Sequence, residues 1–412
     1  MNRASKPSVF VFYHYLPPDD VVSAVHYGDL CAGLAERGWD VTAFPTVWAC
    51  RDHELRFPAE DVLRGVRIRR LWRPRFRQSS GLGRLLNAAW MIARWSFLAL
   101  STRNNQPDIL IVGTDPVLSV LVARFWKRMR PRTKIVHWCF DLYPEAAVAD
   151  GLLREEGAFA QLLYKMLRHA YQACSVIVDI GSCMRVLLNK YGSHAKRATL
   201  VPWAIEEADA PLAIDQRERQ EVFGKTKLAL LYSGSFGRAH SYNEILQLIE
   251  NLSPQGAKLA FSVRGNRESE LRKAAAKHGE EIRFVDFAKE DRLAARLSCA
   301  DVHVVSLQPE WTGMVVPSKF FGALSAGRPV LFAGSRESSI ARWIEAYNVG
   351  WVLNTENLTE TVQQLRNYAD SPQEQSAMQN RCFHAYQQNF SKRTQFEQWH
   401  QLLQSLLPPS HL

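Results

Sequence analysis

Two hydrophobic patterns alternate along this chain of 412 residues. Short, wholly apolar runs are typical of strands buried on both faces, and longer segments with apolar residues at helical spacing are typical of amphipathic helices. In the first half the pattern predicts these elements in chain order: strand Ser8–Tyr13, helix Ala24–Arg37, strand Asp40–Phe44, strand Arg67–Leu71, helix Arg84–Leu100, strand Asp108–Gly113, helix Leu118–Met129, strand Lys134–Cys139, helix Ala158–Ala173 and strand Ser175–Ile180.

The second half repeats this alternation after a polar, proline-containing stretch, Glu206–Glu221, which we interpret as an interdomain linker. Its predicted strands are Leu228–Tyr232, Leu259–Val263, Ile282–Val285, Val302–Ser306, Val330–Ala333 and Gly350–Leu353, followed by a helical tail over residues 361–407. The alternation predicts an α/β fold with two Rossmann-like, doubly wound domains that face a central cleft. We place the domains at residues 1–205 and 206–385, with a C-terminal helix, residues 386–412, that packs back on the N-terminal domain.

Charge is distributed unevenly between the halves. The chain has 51 Lys and Arg against 41 Asp and Glu, and residues 1–205 contain 28 against 17, so the excess lies in the N-terminal half. The seven cysteines are scattered without a C-x-x-C pair, which argues for a reducing compartment and against disulfides or structural zinc. No signal peptide and no apolar run of membrane-spanning length is evident, so we expect a cytoplasmic protein.

The stretch Thr312–Gly334 reads as a loop, a helix, a tight turn and a buried strand. Pro317 suits the first helical position, because its missing N–H would have no partner there. Gly327 is expected to end the helix in a left-handed conformation, and the proline that follows blocks continuation.

The start of this helix is a candidate phosphate or diphosphate site. Gly313 permits close approach of a ligand, and free N–H groups near Val315 and Val316 would carry the positive end of the helix dipole. Ser318 adds a hydroxyl group and Lys319 a full positive charge, which favours an anion between them. The alternative is an ordinary capped helix with a solvated lysine.

A second candidate phosphate contact is the segment YSGSFGR, directly after a predicted strand. Gly234 and Gly237 allow a tight turn around Ser235 with inward N–H groups, and Arg238 could hold a phosphate through two hydrogen bonds. Arg264, after the next strand, could add another donor. A glycine turn with a solvent-facing arginine is the alternative for the first segment, and a plain turn for the second.

Candidate catalytic groups lie in the N-terminal half, in the segment HWCFDLYPE at a strand end. Asp141 and Glu145 could act on a hydroxyl nucleophile or on sugar hydroxyls, and His137 could exchange a proton. A core histidine is an equally good interpretation of His137. In the first loop, Asp20 and its neighbour Asp19 offer carboxylates, or simply a solvated loop. No D-x-D pair occurs, so we predict no metal at the diphosphate.

Residues 63–134 combine 16 Arg and Lys with only Asp108 and Asp115. Aromatic side chains are interleaved with these charges: Trp72, Phe76, Trp90, Trp95, Phe97, Phe125 and Trp126. This pattern favours contact with an anionic membrane surface. Nucleic acid is not expected, because no recognised nucleic-acid module is present. The alternative is a core helix with a solvated basic face.

These motifs together resemble bacterial family 4 retaining glycosyltransferases, which have the GT-B fold of two Rossmann-like domains facing a cleft. The segments that carry the resemblance are ADVHVVSLQPEWTGMVVPSKFFGALSAGRPVLF, YSGSFGR and FDLYPEAAVADG, which are most similar to exopolysaccharide and colanic acid biosynthesis glycosyltransferases. The similarity covers most of the chain in order. It is fairly specific for the fold and much less specific for the sugar.

The resemblance implies transfer of a hexose, with retention, from a UDP- or GDP-linked sugar without a bound cofactor or metal. Arg238 and Lys319 would neutralise the leaving diphosphate, helped by the N–H groups of Val315 and Val316, and Glu310 would lie near the donor sugar. The acceptor would be a lipid-linked saccharide at the inner face of the cytoplasmic membrane, where the basic N-terminal half would make a peripheral contact.

The chain departs from the family pattern at several positions. Two glutamates of many members are replaced by Met314 and Gly322, and the second of these normally holds the nucleotide ribose. The lysine usually found shortly after the arginine is replaced within residues 241–243, and Asp19, Asp20 and Val21 replace the glycine pair of the first loop. These differences are typical of a P-S-K subgroup, but they also permit weak or lost activity.

The sequence thus supports the hypothesis of a membrane-associated hexosyltransferase in bacterial polysaccharide or glycolipid assembly. A sugar-nucleotide epimerase or hydrolase on the same fold is one alternative, although it would not need the basic aromatic stretch. A GT-B-like scaffold without turnover is another, although Arg238, Ser318 and Lys319 argue against it.

Overall fold

A computed structural model describes residues 6–19, 21–52, 54–77, 80–102, 106–192 and 194–408. The chain divides into two compact α/β units. The first comprises Met1–Val201 together with Gln395–Leu412, and the second comprises Pro202–Thr394.

The first unit is built on an eight-stranded sheet in the order β3-β4-β2-β1-β5-β6-β7-β8. All neighbouring strands are parallel except the pair β3 and β4. The strands are β1 (Ser8–Phe12), β2 (Asp40–Ala43), β3 (Glu60–Leu63), β4 (Val66–Arg69), β5 (Ile109–Val112), β6 (Lys134–Trp138), β7 (Val176–Asp179) and β8 (Lys196–Thr199). The helices are α1 (Val22–Glu36), α2 (Gly81–Ser101), α3 (Val122–Met129), α4 (Glu145–Ala149), α5 (Ala158–Ala173) and α6 (Ser182–Asn189).

The second unit has a six-stranded, parallel sheet in the order β11-β10-β9-β12-β13-β14. Its strands are β9 (Leu228–Ser235), β10 (Ala257–Arg264), β11 (Ile282–Phe284), β12 (Val302–Ser306), β13 (Val330–Ala333) and β14 (Gly350–Leu353). The helices from here to the end are α7 (Gln216–Phe223), α8 (Asn243–Leu252), α9 (Glu268–Ala275), α10 (Leu293–Ser298), α11 (Lys319–Ser325), α12 (Ser339–Tyr347), α13 (Leu358–Ala369), α14 (Pro372–Asn389) and α15 (Lys392–Gln404).

Tryptophans fix the core of the first unit. The ring of Trp95 stacks on Phe12 with centroids 5.1 Å apart, and its indole N–H donates to the Phe44 carbonyl at 2.8 Å. Trp126 donates in turn to the Trp95 carbonyl at 2.9 Å. A buried indole needs such an acceptor, so these bonds set the position of α2 and α3 on the sheet.

The C-terminal helix α15 completes the first unit. Its Phe396 ring lies over Gly33 of α1, where a Cβ atom would come within 2.4 Å of the ring. Trp399 packs against Trp138 with ring centroids 5.0 Å apart, and Trp39 donates to His400 at 3.0 Å. The return to the first unit therefore occurs at Gln395, inside α15, whereas residue 386, the boundary predicted from the sequence, lies within α14.

The stretch predicted as a linker, Glu206–Glu221, contains the start of α7 and part of the core of the second unit. Arg219 holds Asp301 through two hydrogen bonds of 2.9 and 2.7 Å, and buried Glu218 pairs with Arg296. The linker prediction was wrong for this part because the charged residues of α7 are paired inside the protein. The divide itself falls after Val201, four residues before the predicted boundary at residue 205.

The other predicted elements appear in the predicted order, and in the first unit the pattern missed only short ones. Strands β3 and β8 lie at the edges of the sheet and are polar, so they carry no apolar run. Helices α4 and α6 have only five and eight residues, too few for a helical period to be distinguished from a loop.

Candidate functional site

In the second unit, the predicted phosphate-binding residues follow two neighbouring central strands. The segment with Gly234 ends β9, and the loop to α11 begins after β12. Strand order reverses between β9 and β12, because β10 and β11 lie on one side and β13 and β14 on the other. In open parallel sheets, ligands bind at the carboxyl ends of the strands at such a reversal point.

The turn after β9 depends on a glycine. Gly234 has φ +124°, and a Cβ atom there would come within 2.9 Å of Cε of Lys319. Because Gly234 has no side chain, the Lys319 side chain has room to reach the turn. Ser235 and Arg238 are exposed beyond it, and Gly237 is half-buried.

Lys319 is partly buried. Its Nζ lies 3.5 Å from Nε2 of His240 and 5.2 Å from the centre of the Tyr232 ring. No carboxylate among the described residues pairs with it. Burial lowers the pKa of Lys319 to about 7. An ammonium group in this position can hold an anion.

His240 orients this lysine and was missed in the sequence. Its Nδ1–H donates to the Ser306 carbonyl at 2.7 Å, which leaves Nε2 as the acceptor that faces Lys319. Burial, and then the charge of Lys319, lowers the pKa of His240 to about 3, so the ring stays neutral. The His240 carbonyl accepts from Arg267 at 2.6 Å and the Arg238 carbonyl from Gln308 at 2.8 Å. The spacing of these residues in the sequence does not predict that they meet, because only the fold brings them together.

The start of α11 differs from the sequence interpretation. The helix begins at Lys319, so Pro317 lies ahead of it and not at its first position. The N–H groups of Val315 and Val316 therefore also precede the helix instead of capping it. Gly313 forms the predicted turn with φ +85°. The left-handed helix end at Gly327 is present, with φ +71°.

The remaining predicted donor residues lie at the rim of this region. Ser318 is exposed, and Glu310 is exposed in a short 3-10 turn, Pro309–Trp311. The Arg264 guanidinium lies 4.1 Å from the centre of the Phe287 ring.

In the first unit, His137 and Asp141 line one small cavity with Thr114. His137 Nδ1–H donates to the Val112 carbonyl at 2.9 Å, and burial lowers its pKa to about 4. The ring is therefore neutral, with Nε2 as its acceptor nitrogen. Burial, and then Asp115, raises the pKa of Asp141 to about 6. Of the two, Asp141 is the group that can exchange a proton with a hydroxyl group near neutral pH.

The other two predicted catalytic residues do not join this pair. Glu145 is buried beside α6, and its Oε1 accepts a hydrogen bond from the Tyr191 hydroxyl at 2.7 Å. Asp20 lies outside the described residues. Its neighbour Asp19 accepts the Cys50 N–H at 2.7 Å.

Further polar groups missed in the sequence lie at the end of β5. The Thr114 hydroxyl is buried and has no hydrogen-bond partner among the described residues. Arg73 donates to Nε2 of His14 at 2.9 Å, and Nδ1 of His14 lies 3.3 Å from Asp115. The sequence did contain a signal for the groups after β5, because the segment G-T-D-P follows an apolar run in the same way as the segment FDLYPE does.

Comparison with known proteins finds a family match over part of the chain. Residues 23–204 match the family described as Glycosyl transferase 4-like domain. The chain is 24% identical to the probable glycosyltransferase WbjE of Pseudomonas aeruginosa over 61% of its length and 64% of that protein. It is 22% identical to the putative colanic acid biosynthesis glycosyl transferase WcaI of Escherichia coli over 66% and 68% of the two chains. The first match thus spans just under two thirds of WbjE.

Solved structures of other proteins have a similar fold over nearly the whole length of this chain. Sucrose-phosphate synthase from Thermosynechococcus elongatus has a TM-score of 0.71 at 15% identity, covering 98% of this chain and 99% of that one. HepE from Anabaena, in complex with UDP and glucose, has a TM-score of 0.67 at 12% identity, covering 97% and 100%. The chain has the GT-B fold, and residues 23–204 resemble family 4 glycosyltransferases.

The family resemblance and the fold class predicted from the sequence are confirmed at this level. In this GT-B chain the matched domain contains His137 and Asp141, whereas Lys319 and the glycine turn lie outside it. No helix in the described part of the chain has the length and apolarity to cross a membrane.

Proposed function

We propose that this protein transfers a hexose, with retention, from a nucleoside diphosphate sugar to a lipid-linked saccharide or glycolipid in polysaccharide assembly. The observation that carries the proposal is the partly buried ammonium of Lys319 against the glycine turn at the strand-order reversal, with no carboxylate of the described residues paired to it. The resemblance to HepE, whose structures contain UDP, UDP and glucose, or UDP-glucose, favours UDP as the nucleotide.

In this proposal Lys319 neutralises the diphosphate. The bond between the anomeric carbon and the phosphate oxygen breaks, and its electron pair leaves with the diphosphate, whose charge the ammonium stabilises. Lys319 reaches the turn after β9 from α11, so it supplies a cation there although residues 241–243 lack the lysine of many relatives. Arg238, Arg264, Ser318 and the N–H groups of residues 315 and 316 would complete the contacts.

Asp141 and His137 act on the acceptor in this proposal. The acceptor hydroxyl forms the new bond to the anomeric carbon and loses its proton, and a carboxylate with a pKa of about 6 can accept that proton near neutral pH. Thr114, whose buried hydroxyl has no partner in the part of the chain that the structure describes, would bind a sugar hydroxyl.

The acceptor would be met at the inner face of the cytoplasmic membrane, to which the protein would bind peripherally. Exposed apolar side chains of α2 and α3 within residues 63–134 support this part of the proposal, together with the arginines around them. Transfer without a metal follows from the absence of a D-x-D pair in the sequence and remains a prediction.

The first experiment is thermal stabilisation of the purified protein by UDP, GDP, UDP-glucose and other nucleotide sugars. A ligand at 100 times its dissociation constant adds about 2.7 kcal/mol to the free energy of unfolding. We expect a UDP-linked sugar to raise the melting temperature of the wild type clearly more than that of Lys319→Met. Stabilisation that is equal in both proteins would overturn the assignment.

Turnover is tested separately with the stabilising donor and membrane lipid extract. NMR of the glycosidic product would show the same anomeric configuration as the donor. Release of free sugar or of an epimerised donor without any lipid-linked product would favour the hydrolase or epimerase alternative. Binding without any product would favour the scaffold.

A further inference from the structure

We propose that α5 is part of the membrane-contacting surface, and that α2, α3 and α5 form one docking face for an anionic bilayer. This inference rests on the peripheral membrane contact proposed above, which was predicted for residues 63–134 only. It adds an element that lies outside that stretch.

Helix α2 is apolar on two opposite faces. Its inner face, with Met91, Trp95 and Ala99, is fully buried. Its outer apolar side chains are between 41% and 68% exposed, and they are Leu82, Leu85, Leu86, Trp90, Phe97 and Leu100. An amphipathic helix on the outside of a sheet needs only one apolar face, so the outer face has a use other than folding.

Helix α5 has a second apolar stripe of the same kind. Phe159, Leu162 and Met166 are 58%, 53% and 42% exposed, and their spacing places them on one side of the helix. The buried residues of α5, which include Leu167 and Tyr171, lie on another side.

The three helices lie in one layer. Helix α3 contacts both α2 and α5, and its Phe125 is 37% exposed. Strands β5, β6 and β7 are adjacent and parallel, so right-handed crossovers place α3 and α5 on the same face of the sheet. The outer residues of α2 and α5 therefore flank α3 on the same side of this unit.

Charge identifies the partner. None of the three helices contains an acidic residue. Their basic residues are Arg84, Arg94, Arg124, Lys127, Arg128, Lys165 and Arg168. Exposed tryptophan and leucine among unopposed positive charges match a lipid surface with anionic headgroups. In the second unit, by contrast, Phe287 is the only described large apolar side chain that is exposed.

The test is co-sedimentation of the full chain with vesicles of phosphatidylglycerol and phosphatidylcholine. The α5 variant is Phe159→Gln/Leu162→Gln/Met166→Gln, and we expect its partition coefficient to fall by about tenfold or more. The α2 variant, Leu82→Gln/Leu86→Gln/Phe97→Gln, should lose binding to a similar extent. Added salt should weaken binding of the wild type.

The matched control is Leu55→Gln/Val62→Gln, which removes exposed apolar side chains of the same unit outside the three helices. It should bind as the wild type does. If the wild type itself fails to bind, the membrane contact in the proposed function is wrong. If the wild type and the α2 variant differ while the α5 variant binds like the wild type, only the inference about α5 is overturned.

A labelled cysteine tests the contact without deleting apolar area. Met166→Cys carrying an environment-sensitive fluorophore should shift to shorter wavelength with anionic vesicles, and the same label at Val62→Cys should not. Equal spectra of the two labelled proteins on the vesicles would contradict a contact by α5, whether or not the Gln variants fold.

Discussion

Lys319 is surrounded by groups that cannot neutralise it: a neutral imidazole, an aromatic ring and the backbone of a glycine turn. Such an arrangement lowers the free energy of unfolding of the unliganded protein. An anion that binds beside Lys319 offsets this cost. Functional groups are often retained at such a cost in stability.

Replacement of Lys319 should therefore separate binding from stability. Lys319→Met removes a charge-assisted contact and should weaken UDP-sugar binding by about 1.5–3 kcal/mol. The same variant should raise the free energy of unfolding of the unliganded protein by about 1–3 kcal/mol, because a partly buried, unpaired charge is gone. Calorimetric titration and urea unfolding measure the two effects. Lys273→Met, on the exposed side of α9, is the control and should change neither.

The pH dependence of donor binding follows from the pKa of Lys319, which is about 7 in the free protein. UDP-glucose keeps a constant diphosphate charge near neutral pH, so its affinity should fall by about tenfold between about pH 6 and pH 8 as the lysine loses its proton. The Lys319→Met profile should be flat. His240 does not contribute, since it stays neutral throughout this range. A wild-type affinity that is independent of pH would contradict the charged role of the lysine.

The stability of the unliganded protein should change with pH in the opposite direction. The unfolded chain, with an ordinary lysine pKa of 10.5, binds more protons than the folded chain above about pH 7. This group therefore makes the free energy of unfolding rise with pH from about 7 to 10. Urea unfolding of wild type and Lys319→Met, compared across that window, should show this rise in the wild type only.

At the scale of elements, the junction of β9 and α11 decides whether the lysine can reach the turn. Gly234 has a φ of +124°, and a Cβ atom would press on the Lys319 stem at 2.9 Å. A Cβ atom added at Gly237, three residues further along, would have the Asn266 side chain as its nearest neighbour, at 3.5 Å. The two glycines of one motif thus have different roles.

Gly234→Ala should destabilise the protein by about 1–3 kcal/mol and also weaken nucleotide binding, because backbone strain and displacement of Lys319 act together. Gly237→Ala should change the free energy of unfolding by less than about 1 kcal/mol. Thermal unfolding and UDP titration of both variants provide the comparison. Equal effects of the two substitutions would contradict the steric argument.

At the scale of the whole molecule, the two ends of the chain share one unit. Helix α15 fills the space above Gly33 with Phe396, and Trp399 is fully buried against Trp138. The basic first unit therefore includes most of the C-terminal helix α15.

Trp399→Ala should lower the free energy of unfolding of the first unit by about 3–5 kcal/mol, as expected for loss of a buried tryptophan. Gln401→Ala, on the exposed side of α15, should have little effect. Unfolding followed by hydrogen exchange of β6 and α1 assigns the loss to this unit. A variant whose amides there stay fully protected would contradict the packing described for α15.

The sequence by itself determined the two α/β units, the positions along the chain of nearly all central strands, and the placement of Gly234, Gly313 and Lys319 at strand ends or in the segments that follow them. It could do so because buried strands need continuous apolar runs and tight turns need glycine, and both are local requirements. Polar elements such as β8 and the paired charges of α7 carry no such local signal.

The tertiary structure alone decided which polar groups meet. It placed His240 beside Lys319, Thr114 beside His137 and Asp141, and Glu145 against Tyr191. It also brought α5 next to α3, so that two apolar stripes far apart in sequence lie on one side of the first unit. Contacts of this kind depend on crossover handedness and strand order, which no local pattern of hydrophobic and polar residues contains.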